Sequence, residues 1–514
     1  MKFAGLWLLA GAITGCSSAP PPPPGYHPAV ESAAPLPRKA QDIAIVNRIT
    51  WGADTSSAQQ AAPDIGRYLA EQLHPGPDDL PPDAQGQIAA MEISQKKLVD
   101  INTEIRALQK QAQDAKGTPD YDGLQKAYQQ KFNDLAHEAA VRSLLRDLYS
   151  RNQLKEQLTW FWFNHFNVQQ GKGEIRAYVG DYEENAIRAH ALGNFRQLLA
   201  ATLFHPAMIQ YLDNQQNASG HINENYAREI MELHTMGVGS GYTQKDVQEL
   251  ARILTGVGLN LNGVKPKLNP KRAADYRAEG LFEFNPARHD YGDKVFLGQV
   301  IKGSGLAEVD QALDILSREP ATARHISYQL AQYFCCDAPP DSLVNAMAAS
   351  FQRSGGSISR VLQTLFDAPE FKASLGRKFK DPMHYAVSAI RASYGDTVVL
   401  NAQPLMNWLN RMAEPLYGHD TPDGYPLTGA SWSGPGEMEN RFEIARQIGL
   451  GHSGLFKLPA DQKEPAPPPV IQATRYAQAM MPGLRPSTSN ALARVKTPAD
   501  WNLMFLSSPE FMYR

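Results

Sequence analysis

Residues 221–256 read HINENYAREIMELHTMGVGSGYTQKDVQELARILTG, and this stretch gathers the side chains best suited to chemistry. On a helical wheel, at about 100° per residue, Asn225, Glu229 and Glu232 share one face with Arg228 beside them. Ala227, Ile230, Met231 and His234 share the other. Two carboxylates at i, i+3 suit acid–base work. If the pair is buried, one carboxyl holds its proton while the other is ionised, which supplies an acid and a base together. If it is exposed, the same residues make only a solvated, salt-bridged face. The sequence leaves both readings open. His234 turns away from the glutamates, so the helix carries neither H-E-x-x-H nor a Glu-x-x-His metal motif. It reads as a hydrogen-bonded core histidine.

Other polar residues sit in apolar surroundings. WFWFNHF (160–166) holds Asn164 and His165, which must be hydrogen-bonded or functional, because burying them unpaired costs a few kcal/mol. Arg188 lies in AIRAHALG. His289, Asp290 and Asp293 share one turn, where imidazole and carboxylate could hold a metal, although Asp-Tyr-Gly-Asp is also good turn chemistry. The candidate catalytic set is Glu229, Glu232, Arg228, Asn225, His165 and Arg188, with Asn164 in the same polar cleft. In a hydrolase-type enzyme, Glu229 or Glu232 would be the base and His165 a proton shuttle. Arg228 or Arg188 would stabilise anionic charge. No G-x-S-x-G elbow, P-loop or dinucleotide fingerprint is present, and no motif names a cofactor. The alternative is a non-catalytic scaffold that binds another exported protein.

The elements that would position these residues are helical. Ile65, Leu69 and Leu73 form one stripe, and Leu98, Ile101, Ile105 and Leu108 step by three and four. Lys116-Gly-Thr-Pro119 separates that seam from a second long pattern, Tyr121 to about Phe163, so a helical-hairpin arm is expected at 87–130. Tyr182 to Leu203 reads as helical, with Ile187, Ala191, Phe195 and Leu198–Leu199 on one side. Gly237, Gly239 and Gly241 make a turn, Thr243 to Asp246 a capping box, and Val247, Leu250, Ala251 and Leu254 a buried stripe. Leu281–Phe284 and Lys294–Leu297 alternate and suggest a small β-hairpin within 276–300. LFDAPEF and FLSSPEF each suggest a helix followed by a Pro-initiated turn. The expected fold is mainly α: a multi-helix body with a protruding helical hairpin and a minor β-hairpin. The domains would be 41–390 and a C-terminal helical subdomain, 391–514, packed on it.

The N-terminus, MKFAGLWLLAGAITGC, has one lysine, a short apolar run and small residues before Cys16. That is an export signal over residues 1–15, too short to span about 30 Å of hydrocarbon. Ile13-Thr-Gly-Cys16 resembles a bacterial lipobox, which implies acylation of Cys16 (with a fatty acid such as palmitate) and anchoring to a membrane. Ser17 suggests the outer membrane, with the body facing the periplasm. Residues 16–40 include Pro20 to Pro24 and read as an extended tether. Glu464 to Pro469 reads as a second exposed Pro-rich connection. Fifty Lys and Arg against 53 Asp and Glu give a net charge of −3 with no long basic run, which argues against nucleic acid as a partner. Cys335 and Cys336 end ISYQLAQYFCC and read as small buried thiols at a helix end.

The central motif resembles that of a bacterial family called "domain of unknown function 1800". NRITWGADTSSAQQ, FWFNHFNV, ENAIRAHALGNFRQLL, HPAMIQYLDN, FEFNPARHDYGDKVFLG, PATARHISYQLAQYF and DGYPLTGASWSGPGEMENR resemble its blocks in its order. The resemblance covers most of residues 46–514, with the 87–130 arm as an insertion. It implies an exported, largely helical bacterial protein without an assigned reaction. It also implies a partner from a second exported family, "domain of unknown function 1501", related to alkaline-phosphatase-like sulfatases.

Overall fold

The computed structural model describes residues 38–457 and 468–514. The signal segment, Cys16, Pro20 to Pro24 and residues 464–467 lie outside the described residues. Helix makes up 60% of the chain and strand 5%, so the fold is mainly α as expected. No helix among the described residues is long and apolar enough to cross a membrane.

The helical hairpin is present as Leu98–Asp114 and Tyr121–Tyr149. Ile101 and Ile105 are buried on the first helix, and Phe132, Leu135 and Ala139 on the second. The base of the hairpin is tied down: Arg106 pairs with Glu174 at 2.5 Å, and both helices pack on Ile175–Asp181. Most residues around the tip are exposed.

The pattern from Tyr121 to Phe163 is not one helix but two, because the chain breaks at Ser150–Asn152. Gln153 explains the break: its side-chain amide Nε2 donates to the carbonyls of Asp147 and Ser150, both at 2.9 Å, satisfying acceptors freed at the helix end. The second helix, Gln153–His165, is buried on nearly every side. Tyr182 to Leu203 is also interrupted. Tyr182–Ile187 winds as a π-helix, and a turn at Leu192–Asn194 precedes Phe195–Leu203. Asn194 starts that last helix by accepting from the Arg196 N–H at 3.0 Å.

The small β elements pair differently from expectation. Phe282–Phe284 is the middle strand of a sheet, between Val257–Leu259 and Arg277–Glu279. Lys294–Phe296 pairs instead with Gln299–Ile301. The intervening turn cannot close a hairpin because it docks elsewhere. Asn285 N–H donates to the Gly256 carbonyl at 2.8 Å, and Asp290 N–H donates to the Thr255 hydroxyl at 2.9 Å. Leu297 and Gly298, at φ 48° and 76°, make the type I′ turn that closes the second pair.

Arg48, fully buried, joins the first helix to the end of Pro320–Phe334. It donates to the carbonyls of Phe334 (2.8 Å) and Cys335 (2.9 Å) at that helix end, and to the Ser374 carbonyl (2.6 Å) at the end of the helix Pro369–Ser374, acceptors that helix termini leave unmet. Cys335 is buried, Cys336 is half-buried, and both are free thiols, in line with the sequence reading. LFDAPEF forms the helix Ile358–Asp367 followed by Pro369–Ser374, with Pro369 in its first turn.

Candidate functional site

The central motif folds as Asn225–Glu229 running into a π-helix, Ile230–His234. Widened turns of this kind recur at functional sites. The apolar face is Tyr226, Ala227, Ile230 and Met231, all within 1% of full burial, with His234 beside them. Asn225, Arg228, Glu229 and Glu232 lie on the wetter side. After the glycine turn, Thr243 caps Gln244–Ile253 in the expected capping box with Asp246.

On that wet side Arg228 is committed. It pairs with Glu224 at 3.2 Å and Glu232 at 3.3 Å, and donates to Gln244 at 2.9 Å. Asn225 donates its side-chain amide to the Leu212 carbonyl at 3.3 Å. Glu229 differs from both: it accepts no side-chain hydrogen bond and joins no ion pair among the described residues. Its carboxyl is held above its ordinary value of 4.5, first by burial, then by the charge of Glu232, with Asp423 adding and Arg228 opposing. A half-buried, unpaired carboxyl with a raised pKa is the arrangement a general acid needs.

Asp423 arrives on a loop clamped by the WFWFNHF motif. Asn164 Nδ2 donates to the Tyr425 carbonyl (2.9 Å), and its Oδ1 accepts the Tyr425 N–H (2.6 Å). Asn167 Nδ2 donates to the carbonyls of His419 (3.0 Å) and Thr421 (2.8 Å). Gly424 is needed there: at φ 72°, a Cβ would lie 2.2 Å from the Asn164 carbonyl oxygen. Tyr211 closes the side, donating its hydroxyl to the Asp420 carbonyl at 2.9 Å. Its hydroxyl is pushed up by burial and by the charges of Asp420, Asp423 and Glu229. The site therefore consists of Glu229 and Glu232, Asp423 and Tyr211. Asp423, Tyr211 and Asn167 were absent from the expected set, although all three sit in recognised blocks: DGYPLTG, HPAMIQYLDN and FWFNHFNV.

His165 is not placed as a shuttle. It is buried, its Nε2 donates to the His234 carbonyl at 3.1 Å, and burial followed by the nearby His325 lowers its pKa to about 3. His325 Nε2 donates likewise to the Leu233 carbonyl at 3.2 Å. The two rings cap the carbonyls at the end of the π-helix and stay neutral. His234 is a core residue as expected, but its Nε2 has no hydrogen-bond partner among the described residues.

Arg188 also leaves the cleft. Its side chain, 5% exposed, meets that of Glu156, 2% exposed, through Nε at 2.9 Å and Nη2 at 2.6 Å. Nη2 reaches Asp78 as well, at 2.7 Å. This is a buried structural pair.

The three metal candidates are held apart. His289 Nδ1 faces the Thr255 carbonyl at 2.7 Å and Nε2 faces the Glu308 carboxylate at 2.9 Å. Both ring nitrogens therefore face groups of the protein itself, and neither is directed at a shared metal position with Asp290 and Asp293. Asp290 pairs with Arg252 at 2.8 Å, and Asp293 with Lys302 at 2.5 Å. No group of three His, Cys, Asp or Glu among the described residues could hold a metal ion.

Residues 44–513 match the family described as "Protein of unknown function (DUF1800)". No curated protein and no solved structure matches the chain. The match spans nearly the whole chain, including every block that builds the site, and the protein therefore belongs to the DUF1800 family.

Proposed function

We propose that this is an exported lipoprotein, anchored through Cys16 in the bacterial cell envelope, that carries out hydrolase-type acid–base chemistry at Glu229. One observation carries the catalytic half: Glu229 is the sole member of the expected set that is half-buried, unpaired and shifted toward its protonated form. Glu232 and Asp423 raise its proton affinity. The anchoring half rests on the lipobox and tether in the sequence.

The test is a screen of the full chain against p-nitrophenyl acetate, phosphate and glucoside, repeated with Glu229→Gln. Turnover of one substrate that Glu229→Gln removes, with the unfolding midpoint unchanged, supports the reading. Turnover indifferent to Glu229 rejects it.

A second reading, a non-catalytic scaffold for an exported protein such as a "domain of unknown function 1501" member, is favoured by one fact. Asn164, His165 and Arg188 are all spent on structure. A scaffold keeps partner capture in Glu229→Gln and loses it when the exposed tip of the helical hairpin is shortened.

A further inference from the structure

NRITWGADTSSAQQ contributes nothing to the Glu229 site, yet it builds a cavity of its own. Trp51 packs on His384 with ring centroids 4.4 Å apart. Gly52, at φ 111°, lies so close to the helix Pro382–Tyr394 that a Cβ would sit 2.4 Å from that of Ser388. This approach lets Arg391 reach back: Nε donates to the Gly52 carbonyl at 2.8 Å, and Nη2 pairs with Asp54 at 2.9 Å. The Asp54 and Arg391 side chains are 5% and 3% exposed. Asp54 also caps Thr55–Ala61, accepting from the Ser57 N–H at 2.7 Å and its hydroxyl at 2.6 Å.

This buried pair forms the floor of a cavity of about 270 Å³. Tyr68 lines it from the next helix, Ile65–Leu73. Tyr68 is 2% exposed, and its hydroxyl lies close enough to Arg391 and Asp54 to feel both charges. Yet that hydroxyl makes no hydrogen bond among the described residues. That hydroxyl is reached from the cavity rather than sealed in the core, so a ligand hydroxyl entering the cavity can take the place of the water that meets it. Leu80, Pro81 and Leu148 supply an apolar wall, and Asp79, Arg151 and Asp396 stand at the mouth.

The charges decide the ligand class. Arg391 is neutralised by Asp54, and Arg151 pairs with Asp79 at 3.0 Å, which leaves Asp396 as the net charge. A phosphate or carboxylate would meet no free cation. Planar polar groups, hydroxyls and an aromatic ring around a small volume instead suit a neutral polyol.

We infer that this cavity is a carbohydrate-binding site, sized for one hexose unit, in which Tyr68, Asp54 and Ser57 meet sugar hydroxyls. It lies on different elements from Glu229 and does not depend on any catalysis there.

The experiment is saturation-transfer NMR on the full chain, in a detergent without a sugar headgroup. The probes are D-glucose, D-galactose, N-acetyl-D-glucosamine and inorganic phosphate. Transfer to at least one sugar is expected, falling at least fivefold in Tyr68→Phe and vanishing in a Ser56→Trp variant, because Ser56 also lines the cavity and the indole would fill it. Tyr68→Phe removes an unpaired hydroxyl, so its melting temperature should equal that of the native chain. No transfer to any of the three sugars, or equal transfer in native chain and Tyr68→Phe, would overturn the inference. So would binding of phosphate alone.

Discussion

Arg188 offers the sharpest test of which polar residues hold the fold and which are free to act. Its guanidinium faces the buried carboxylate of Glu156, and Asp147 and Glu183 are buried nearby at 3% and 6% exposure. Burial, together with the charges of Glu156 and Glu183, already pushes the Asp147 carboxyl well above its ordinary range. Replacing Arg188 with methionine keeps most of the volume and removes the cation. Glu156 is then left buried without a counter-charge, and breaking such a pair costs about 3–5 kcal/mol. Asp78 and Glu184 are 30% and 28% exposed, so solvent screens their loss and they add little. Guanidinium unfolding of Arg188→Met should show that cost at neutral pH. The double variant Arg188→Met, Glu156→Gln should recover most of it, because the stranded charge is gone. A single variant within about 0.5 kcal/mol of the native chain would refute the reasoning and return Arg188 to the candidates for catalysis.

Other outcomes follow from the buried histidines and the clamped loop. His165 and His384 are lowered to about 3 by burial, and His234 is also well below 6.5. They stay neutral in the fold while the unfolded chain protonates, so stability is complete above about pH 6.5 and lost as the pH falls toward 3. Three such groups give a slope approaching about 4 kcal/mol per pH unit, measurable by urea unfolding across pH 7 to 4. A flat profile there would contradict it. Gly424→Ala forces the 417–425 loop off Asn164 and should cost about 1–3 kcal/mol, read by thermal melting. An unchanged melt would mean the loop is not clamped as described.

The wheel over Asn225 to Glu232 was readable because one face of that helix is apolar, and the Thr243 capping box because its partners are three positions apart. The fates of His165 and Arg188 were not readable. Their partners, the His234 carbonyl and the Glu156 and Asp78 side chains, lie 69, 32 and 110 positions away and meet only through packing. The strand error has the same origin. Leu281–Phe284 and Lys294–Leu297 alternate correctly, but alternation does not say which strand pairs with which once His289 and Asp290 dock on Thr255. Asp423 escaped notice for a related reason: on its own loop it is an ordinary turn residue, and only the grip of Asn164 and Asn167 brings it toward Glu229.

The central claim, that Glu229 is an unpaired carboxyl poised to trade a proton, is tested most directly by titrating it. Side-chain ¹³C-labelled glutamate in the full chain, with the Glu229 signal assigned by its loss in Glu229→Gln, gives the midpoint by NMR. The account predicts a midpoint above 4.5 that falls when Glu232 is changed to Gln. A midpoint at or below 4.5, unmoved by Glu232→Gln, would contradict it and leave the wet face of the helix as a solvated surface.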